Sequence, residues 1–147
     1  MSDAAAVTGG CLCGAVRYAA SAAPTKTSYC HCRACQRHFG AAAGMYTHFP
    51  TSDFRFVKGK PKRYRSSTFA ERGFCAACGS SLTFQYLGRP EVIGVAVGSL
   101  DHPENVRPEV HWGVESRLPW FEVDDDLPRR RTEDDPDFVA LASQGRK

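Results

Sequence analysis

Cys30-His31-Cys32-Arg33-Ala34-Cys35 places three thiols within six residues, and this stretch decides how the rest of the chain is read. Two shorter clusters flank it in the sequence, Cys11-Leu12-Cys13-Gly14 and Cys75-Ala76-Ala77-Cys78-Gly79. Thiols one or two residues apart converge on one tetrahedral ion, and no other common role explains three such clusters in 147 residues. Seven cysteines are an odd number, so a complete disulfide framework is excluded. They divide as four plus three, a closed metal site and a second site with one open position, and the chemistry is expected at the open one.

The outer clusters read as two halves of one site. In Cys75-x-x-Cys78-Gly79 the backbone turns after the second cysteine so that N–H groups can donate to sulfur, and glycine permits the close approach. A thioredoxin-like redox reading of this CxxC needs a βαβ setting, which its β-rich neighbourhood does not supply. Cys11-x-Cys13 closes a disulfide only with strain but can give two ligands to one ion. A four-thiol site of this kind crosslinks the start of the domain to its middle and stabilises the fold. The middle cluster is different: Cys30 and Cys32 straddle His31, and Cys35 follows at the spacing of a first helical turn. Three ligands fix one face of a tetrahedron and leave the fourth corner to water, substrate or a distant side chain. His31 or His111 could fill that corner and make this site structural as well.

Composition sets the frame. A chain of 147 residues with 42% hydrophobic and 24% charged residues fits one globular domain with a real core. The stretch Met1 to Gly10 lacks the basic and apolar regions of a secretory signal, and no segment approaches the ~20 apolar residues that span a bilayer. The thiols are therefore expected in the reducing cytoplasm, where clustered cysteines bind metal more often than they form disulfides. A net charge of +3 does not by itself imply a nucleic-acid partner.

The patterning is mainly β. Ala15–Tyr18, Phe54–Val57, Pro61–Arg65 and Ser81–Tyr86 are short, aromatic or β-branched runs, several of them alternating, and Glu91–Val97 is apolar enough for a central strand. Turn chemistry separates them at Gly59-Lys60-Pro61, Leu87 to Pro90 and Asp101 to Asn105. One helix is expected from Arg33 to about Gly40. After Trp120 the sequence turns to blocks of charge, Asp124-Asp125-Asp126, Arg129-Arg130-Arg131 and Glu133-Asp134-Asp135, and 129–147 is expected to be a flexible tail on a domain spanning 8–128.

The order of motifs, Gly9 to Gly14, Ser28 to Cys35, Arg72-Gly73-Phe74-Cys75-x-x-Cys78-Gly79-Ser80, Gly98-Ser99-Leu100-Asp101 and His111 to Trp120, resembles the glutathione-dependent formaldehyde-activating enzyme family, also called the centromere-protein-V type. The resemblance implies an Mss4-like β-tent of small antiparallel sheets around zinc, with one or two short helices. It implies two Zn2+ per chain: a structural zinc on Cys11, Cys13, Cys75 and Cys78, and a catalytic-type zinc on Cys30, Cys32 and Cys35. The implied activity is a carbon–sulfur lyase, condensing formaldehyde or another small aldehyde with glutathione or another small thiol to S-hydroxymethylglutathione. The alternative is a zinc-stabilised binding module, a thiol carrier or nucleic-acid-binding protein, without catalysis. The chain departs from the family at Trp112-Gly113, where a bulky aliphatic and an aromatic residue are usual, so substrate contacts there stay open.

Four further features have competing readings. His31, in an extended segment, is expected to point away from its two cysteine neighbours. His111 and Trp112 suit a pocket, while Trp112, Pro119 and Trp120 are equally what a β core uses. Arg33 and Arg37 suit glutathione carboxylates or a solvated helix face. Lys58, Lys60, Lys62, Arg63 and Arg65 suit nucleic acid or, preferably, an edge strand guarded against pairing by its charges.

Overall fold

The structure, a computed structural model, describes residues 7–144. Ten strands and two helices follow in the order β1 (Val7–Gly10), β2 (Arg17–Ala20), β3 (Lys26–Cys30), α1 (Arg33–Phe39), β4 (Gly44–Pro50), β5 (Phe54–Lys58), β6 (Lys62–Arg65), β7 (Ala70–Phe74), β8 (Ser81–Tyr86), β9 (Val92–Ala96), β10 (Val110–Trp112) and α2 (Pro136–Gln144). They form a three-stranded sheet ordered β1-β2-β5 and a seven-stranded sheet ordered β10-β3-β4-β9-β8-β7-β6. The mainly β expectation holds. All pairs are antiparallel except β10 with β3, which run parallel in the register Trp112 opposite Cys30.

The apolar run read as a central strand is β9, fourth of seven in its sheet, with Ile93 to Ala96 buried on both faces. Its neighbour β4 turns Tyr46 and Phe49 into the interior. Tyr18 of the small sheet meets Phe49, Leu82 and Val95 of the large one, all without solvent exposure, and this cluster is the core. Burying each such side chain contributes about 1.5–3 kcal/mol. The Tyr18 hydroxyl shares a 2.6 Å hydrogen bond with Ser99 Oγ, so the buried oxygen is satisfied. The basic strand β6 is the outermost strand of the large sheet, pairs only with β7 and is exposed throughout, the geometry of a charge-guarded edge.

The segment expected to be a charged, flexible tail is folded against the domain as far as Gln144. Arg130 N–H donates to the carbonyl of His111 at 2.8 Å, and His111 N–H to Pro128 at 2.9 Å, which clips the segment beside β10. In α2 the residues Phe138, Leu141 and Ala142 form an i, i+3, i+4 stripe, with Leu141 and Ala142 buried and Phe138 edge-on to Phe69 at 5.4 Å. The charge blocks concealed this stripe, because it lies after them and is short. Residues 145–147 of that expected tail lie outside the described residues.

Candidate metal centre and its cavity

Two groups of thiols converge as the spacings require. Cys11, Cys13, Cys75 and Cys78 bring their sulfurs within 4.8 Å of one another, and Cys30, Cys32 and Cys35 do the same separately. In the first group Cys13 lies 3.7 Å from Cys11 and 3.8 Å from Cys75. A zinc–sulfur tetrahedron with bonds of ~2.3 Å has edges of about 3.8 Å, so these separations fit the ion, while a disulfide needs ~2.05 Å. All seven cysteines are free. The backbone supports the sulfurs: Val16 N–H donates to Cys11 Sγ at 3.2 Å and Cys78 N–H to Cys75 Sγ at 3.5 Å. Gly14 and Gly79 end the two knuckles at φ 82° and 80°, values that favour glycine. Ser80 joins the halves, its Oγ 3.1 Å from Cys78 Sγ and accepting Leu12 N–H at 3.0 Å. That hydroxyl bond is the main reason Cys78 is held down at about 5.

The second group is built where β3 ends and α1 begins. Cys30 closes β3, and Cys32 caps α1, its sulfur accepting the Cys35 N–H at 3.4 Å. Cys30 donates to Cys32 at 3.3 Å. This bond holds Cys32 at about 2, and it pushes Cys30 well above its ordinary value. Cys35 is lowered by its bond with Cys30 but raised more by Cys32 and by burial, and ends at about 11. Three sulfurs this close ionise together only around a cation. Soft thiol donors in this number suit zinc.

Close approach at this site requires glycine twice. A Cβ on Gly113, which has φ 66°, would lie 3.0 Å from Cys32 N and 3.3 Å from its Cβ, and one on Gly44 would meet the Phe39 ring at 2.5 Å. The departure noted at Trp112-Gly113 is thus part of the site: Gly113 backs Cys32, and Trp112 lines the cavity in front of it.

Neither histidine joins the three thiols. His31 and His111 are 1% and 2% exposed, and their rings lie in the interior. His111 Nε2 donates to Asp125 Oδ2 at 3.0 Å, and its Nδ1 shares a 2.8 Å hydrogen bond with His31 Nε2. Arg129 completes the row at 2.5 Å from Asp125 Oδ1. Burial above all, then His111, lowers His31 to about 4, so the His31 ring stays neutral near pH 7. The pair ties β10 to the loop that carries the thiols, a role that supports the metal site without ligating it. Arg33 is exposed and bonds Gln36, Arg37 is exposed on the helix, and Trp120 is 74% exposed and not a core residue.

The residue that spacing did not single out is Arg72, in the middle of β7. It is 5% exposed, and both terminal nitrogens donate toward Cys35 Sγ at 3.7 Å. The guanidinium also donates to the Tyr46 hydroxyl at 3.0 Å and to Ser66 Oγ at 3.2 Å, and stacks 4.9 Å over the Phe84 ring. A buried cation against a cluster of anionic sulfurs offsets their charge. The available signal was the alternation Arg72–Gly73–Phe74, which sends Arg72 inward on a strand that was not recognised.

The thiols open onto a cavity of about 550 Å³ whose lining includes Cys30, Cys32, Cys35, Tyr46, Arg72 and Trp112. Cavities of ~300–1,000 Å³ are the size that holds small molecules. The smaller hollow beside Phe56 and Arg63 lies on another part of the sheet and contains none of the thiols.

The fold and the thiols define a class: a small β-rich domain with a four-thiol cluster and, on a cavity, a three-thiol cluster, each of which could hold a metal ion. Within it, residues 6–116 match the model of the glutathione-dependent formaldehyde-activating enzyme family, and the chain belongs to that family. It is 39% identical over 80 residues to an uncharacterized lyase of Schizosaccharomyces pombe, covering 53% of this chain and 56% of that protein. The chain thus spans little more than half the length of that relative. A crystal structure of a Rhodobacter sphaeroides protein is similar with a TM-score of 0.55 and 26% identity, over 83% of this chain and 98% of that one. No helix among the described residues is long and apolar enough to cross a membrane.

Proposed function

We propose that this chain is a zinc-dependent carbon–sulfur lyase that joins the thiol of glutathione to formaldehyde or another small aldehyde, acting in the cytoplasm with two Zn2+ per chain. Cys11, Cys13, Cys75 and Cys78 hold the structural zinc, and Cys30, Cys32 and Cys35 hold the second. The single observation that carries the reading is the three-thiol cluster opening onto a cavity of about 550 Å³, with no fourth protein ligand among the described residues. Zinc held by three thiolates supplies a position at which an added thiol is kept ionised.

The chain's own side chains do the rest. Arg72 offsets the negative charge that accumulates on the sulfurs. Lys26 stands at the cavity mouth over the Trp112 ring, with no ion pair among the described residues, and is available to a glutathione carboxylate. In the net reaction the sulfur bonds to the carbonyl carbon, the π pair of C=O moves to oxygen, and oxygen takes up the proton released by the thiol. Ionisation alone gives little: about 3% of a thiol with pKa ~8.5 is thiolate at pH 7, so the gain is at most ~30-fold. A Brønsted coefficient of ~0.4–0.5 returns part of it, so the cavity must contribute by holding the aldehyde.

Calorimetry in buffers of different ionisation enthalpy tests the reading. Glutathione should bind with release of about one proton, Cys32→Ser should weaken that binding while the fold remains, and S-methylglutathione should release none. Glutathione binding without proton release, or undiminished in Cys32→Ser, would overturn the reading. Binding as stated without acceleration of formaldehyde loss over buffer would leave a thiol carrier and remove formaldehyde as the substrate.

A further inference from the structure

The cavity has a second wall that the chemistry above does not use. Five rings run in contact from the metal site outward: Tyr46 to Phe84 at 5.6 Å, Phe84 to Tyr86 at 4.9 Å, Tyr86 to Phe69 at 6.2 Å and Phe69 to Phe138 at 5.4 Å. All five line the cavity. The row begins at Arg72, which contacts both Tyr46 and Phe84, and ends on α2. Thr132, Asp135, Asp137 and Phe138, which also line the cavity, lie beyond the residues 6–116 matched to the family. The family core therefore supplies the thiols and four of the five rings, and a segment outside it supplies the last.

Size and charge both bear on what this wall holds. Formaldehyde has two heavy atoms, the carbon that bonds the thiol sulfur and its oxygen. It also has no substituent that could touch the rings. The lining's cations are largely committed: Arg72 to the thiol cluster and Tyr46, Arg89 to Asp137 at 3.2 Å. Lys26, at the mouth, has neither a carboxylate nor a thiol partner among the described residues. The charged ends of a glutathione conjugate thus match the mouth, and an uncharged flat group matches the inner row.

We infer that the aldehyde substrate carries an aromatic or similarly flat apolar body, which packs along Phe84, Tyr86, Phe69 and Phe138 while its carbonyl carbon reaches the thiol at the metal site. The inference rests on the proposed joining of thiol to aldehyde. It changes the substrate class, with the same bond formed and the same proton moved.

The experiment is calorimetric binding of two unreactive adduct mimics, S-benzylglutathione and S-methylglutathione, to the full-length zinc-loaded protein. The benzyl conjugate should bind about 10- to 100-fold more tightly, the range expected when one ring leaves water for an apolar wall. Phe138→Ala should reduce that ratio to below about threefold. Phe138→Leu, which keeps the helix stripe apolar, should reduce it less and guards against a folding defect. Equal binding of the two conjugates overturns the inference and leaves the glutathione reading standing. A benzyl preference that both Phe138 variants retain in full also overturns it, because the ring then sits elsewhere. If neither conjugate binds, affinity rests on the free thiolate that both lack, and benzyl mercaptan against 2-mercaptoethanol decides. A preference of tenfold or more for the aromatic thiol, lost in Phe138→Ala, upholds the wall, and no preference overturns it.

Discussion

Replacing Arg72 with methionine should cost this chain its second metal while leaving the first. The substitution keeps length and apolar contact over Phe84 and removes the charge that faces Cys35 through two nitrogens at 3.7 Å. Two unit charges about 4 Å apart interact by ~4 kcal/mol at an effective dielectric of ~20. Part of this is offset by the cost of holding the guanidinium in the interior, so a net loss of about 2–3 kcal/mol is the reasonable expectation. That corresponds to roughly 30- to 150-fold weaker binding of the metal at Cys30, Cys32 and Cys35. Competition of the zinc-loaded protein against a chromophoric chelator measures it. One equivalent should transfer at lower chelator concentration in Arg72→Met than in the parent, and the other should not move. Arg72→Lys, with the charge but not the fork, should fall between them. Retention of both equivalents within threefold of the parent would refute the argument that Arg72 balances the thiolates.

Three further outcomes follow from the geometry. Cys75→Ser should give insoluble or protease-sensitive protein, because structural zinc contributes about 10–16 kcal/mol, comparable to the stability of a whole domain, whereas mild chelation of the parent should remove one zinc with its circular dichroism intact. Gly113→Ala, at φ 66° and against Cys32, should destabilise by about 1–2 kcal/mol in thermal denaturation and release the more labile zinc earlier. Arg17, then Thr8, holds the Asp101 carboxyl at about 2 against an ordinary 3.8. Its stabilisation is therefore fully present above about pH 4 and lost as pH falls through about 2, and Asp101→Asn should flatten the acid limb of stability in that window.

The thiol clusters were legible because spacing within each is local: CxC, CxxC and CHCxxC each place their thiols by themselves, whereas the approach of Cys13 to Cys75 is made by the fold. The strands β5, β6, β8 and β9 were legible from alternation or apolar runs. Others were missed for physical reasons. Gly44–Pro50 contains glycine, histidine and proline, poor strand formers that pairing on both sides overrides, and Ala70–Phe74 hides its inward arginine among charged neighbours. Helix α2 owes its place to Phe69 and Gly88, far away in sequence, against which Phe138 and Leu141 pack. The meeting of Arg72 with Cys35 and the aromatic row are long-range products of sheet order, which no local pattern encodes.

The central claim is that one zinc is closed and the other open to a thiol, and X-ray absorption at the zinc edge tests it most directly on protein with two zinc ions per chain. Without glutathione, the account predicts four sulfurs at one zinc and three sulfurs with one lighter atom at the other, following the two clusters of thiols. Addition of glutathione should replace the lighter atom with sulfur. Spectra that do not change on adding glutathione, whatever the starting coordination, would contradict it.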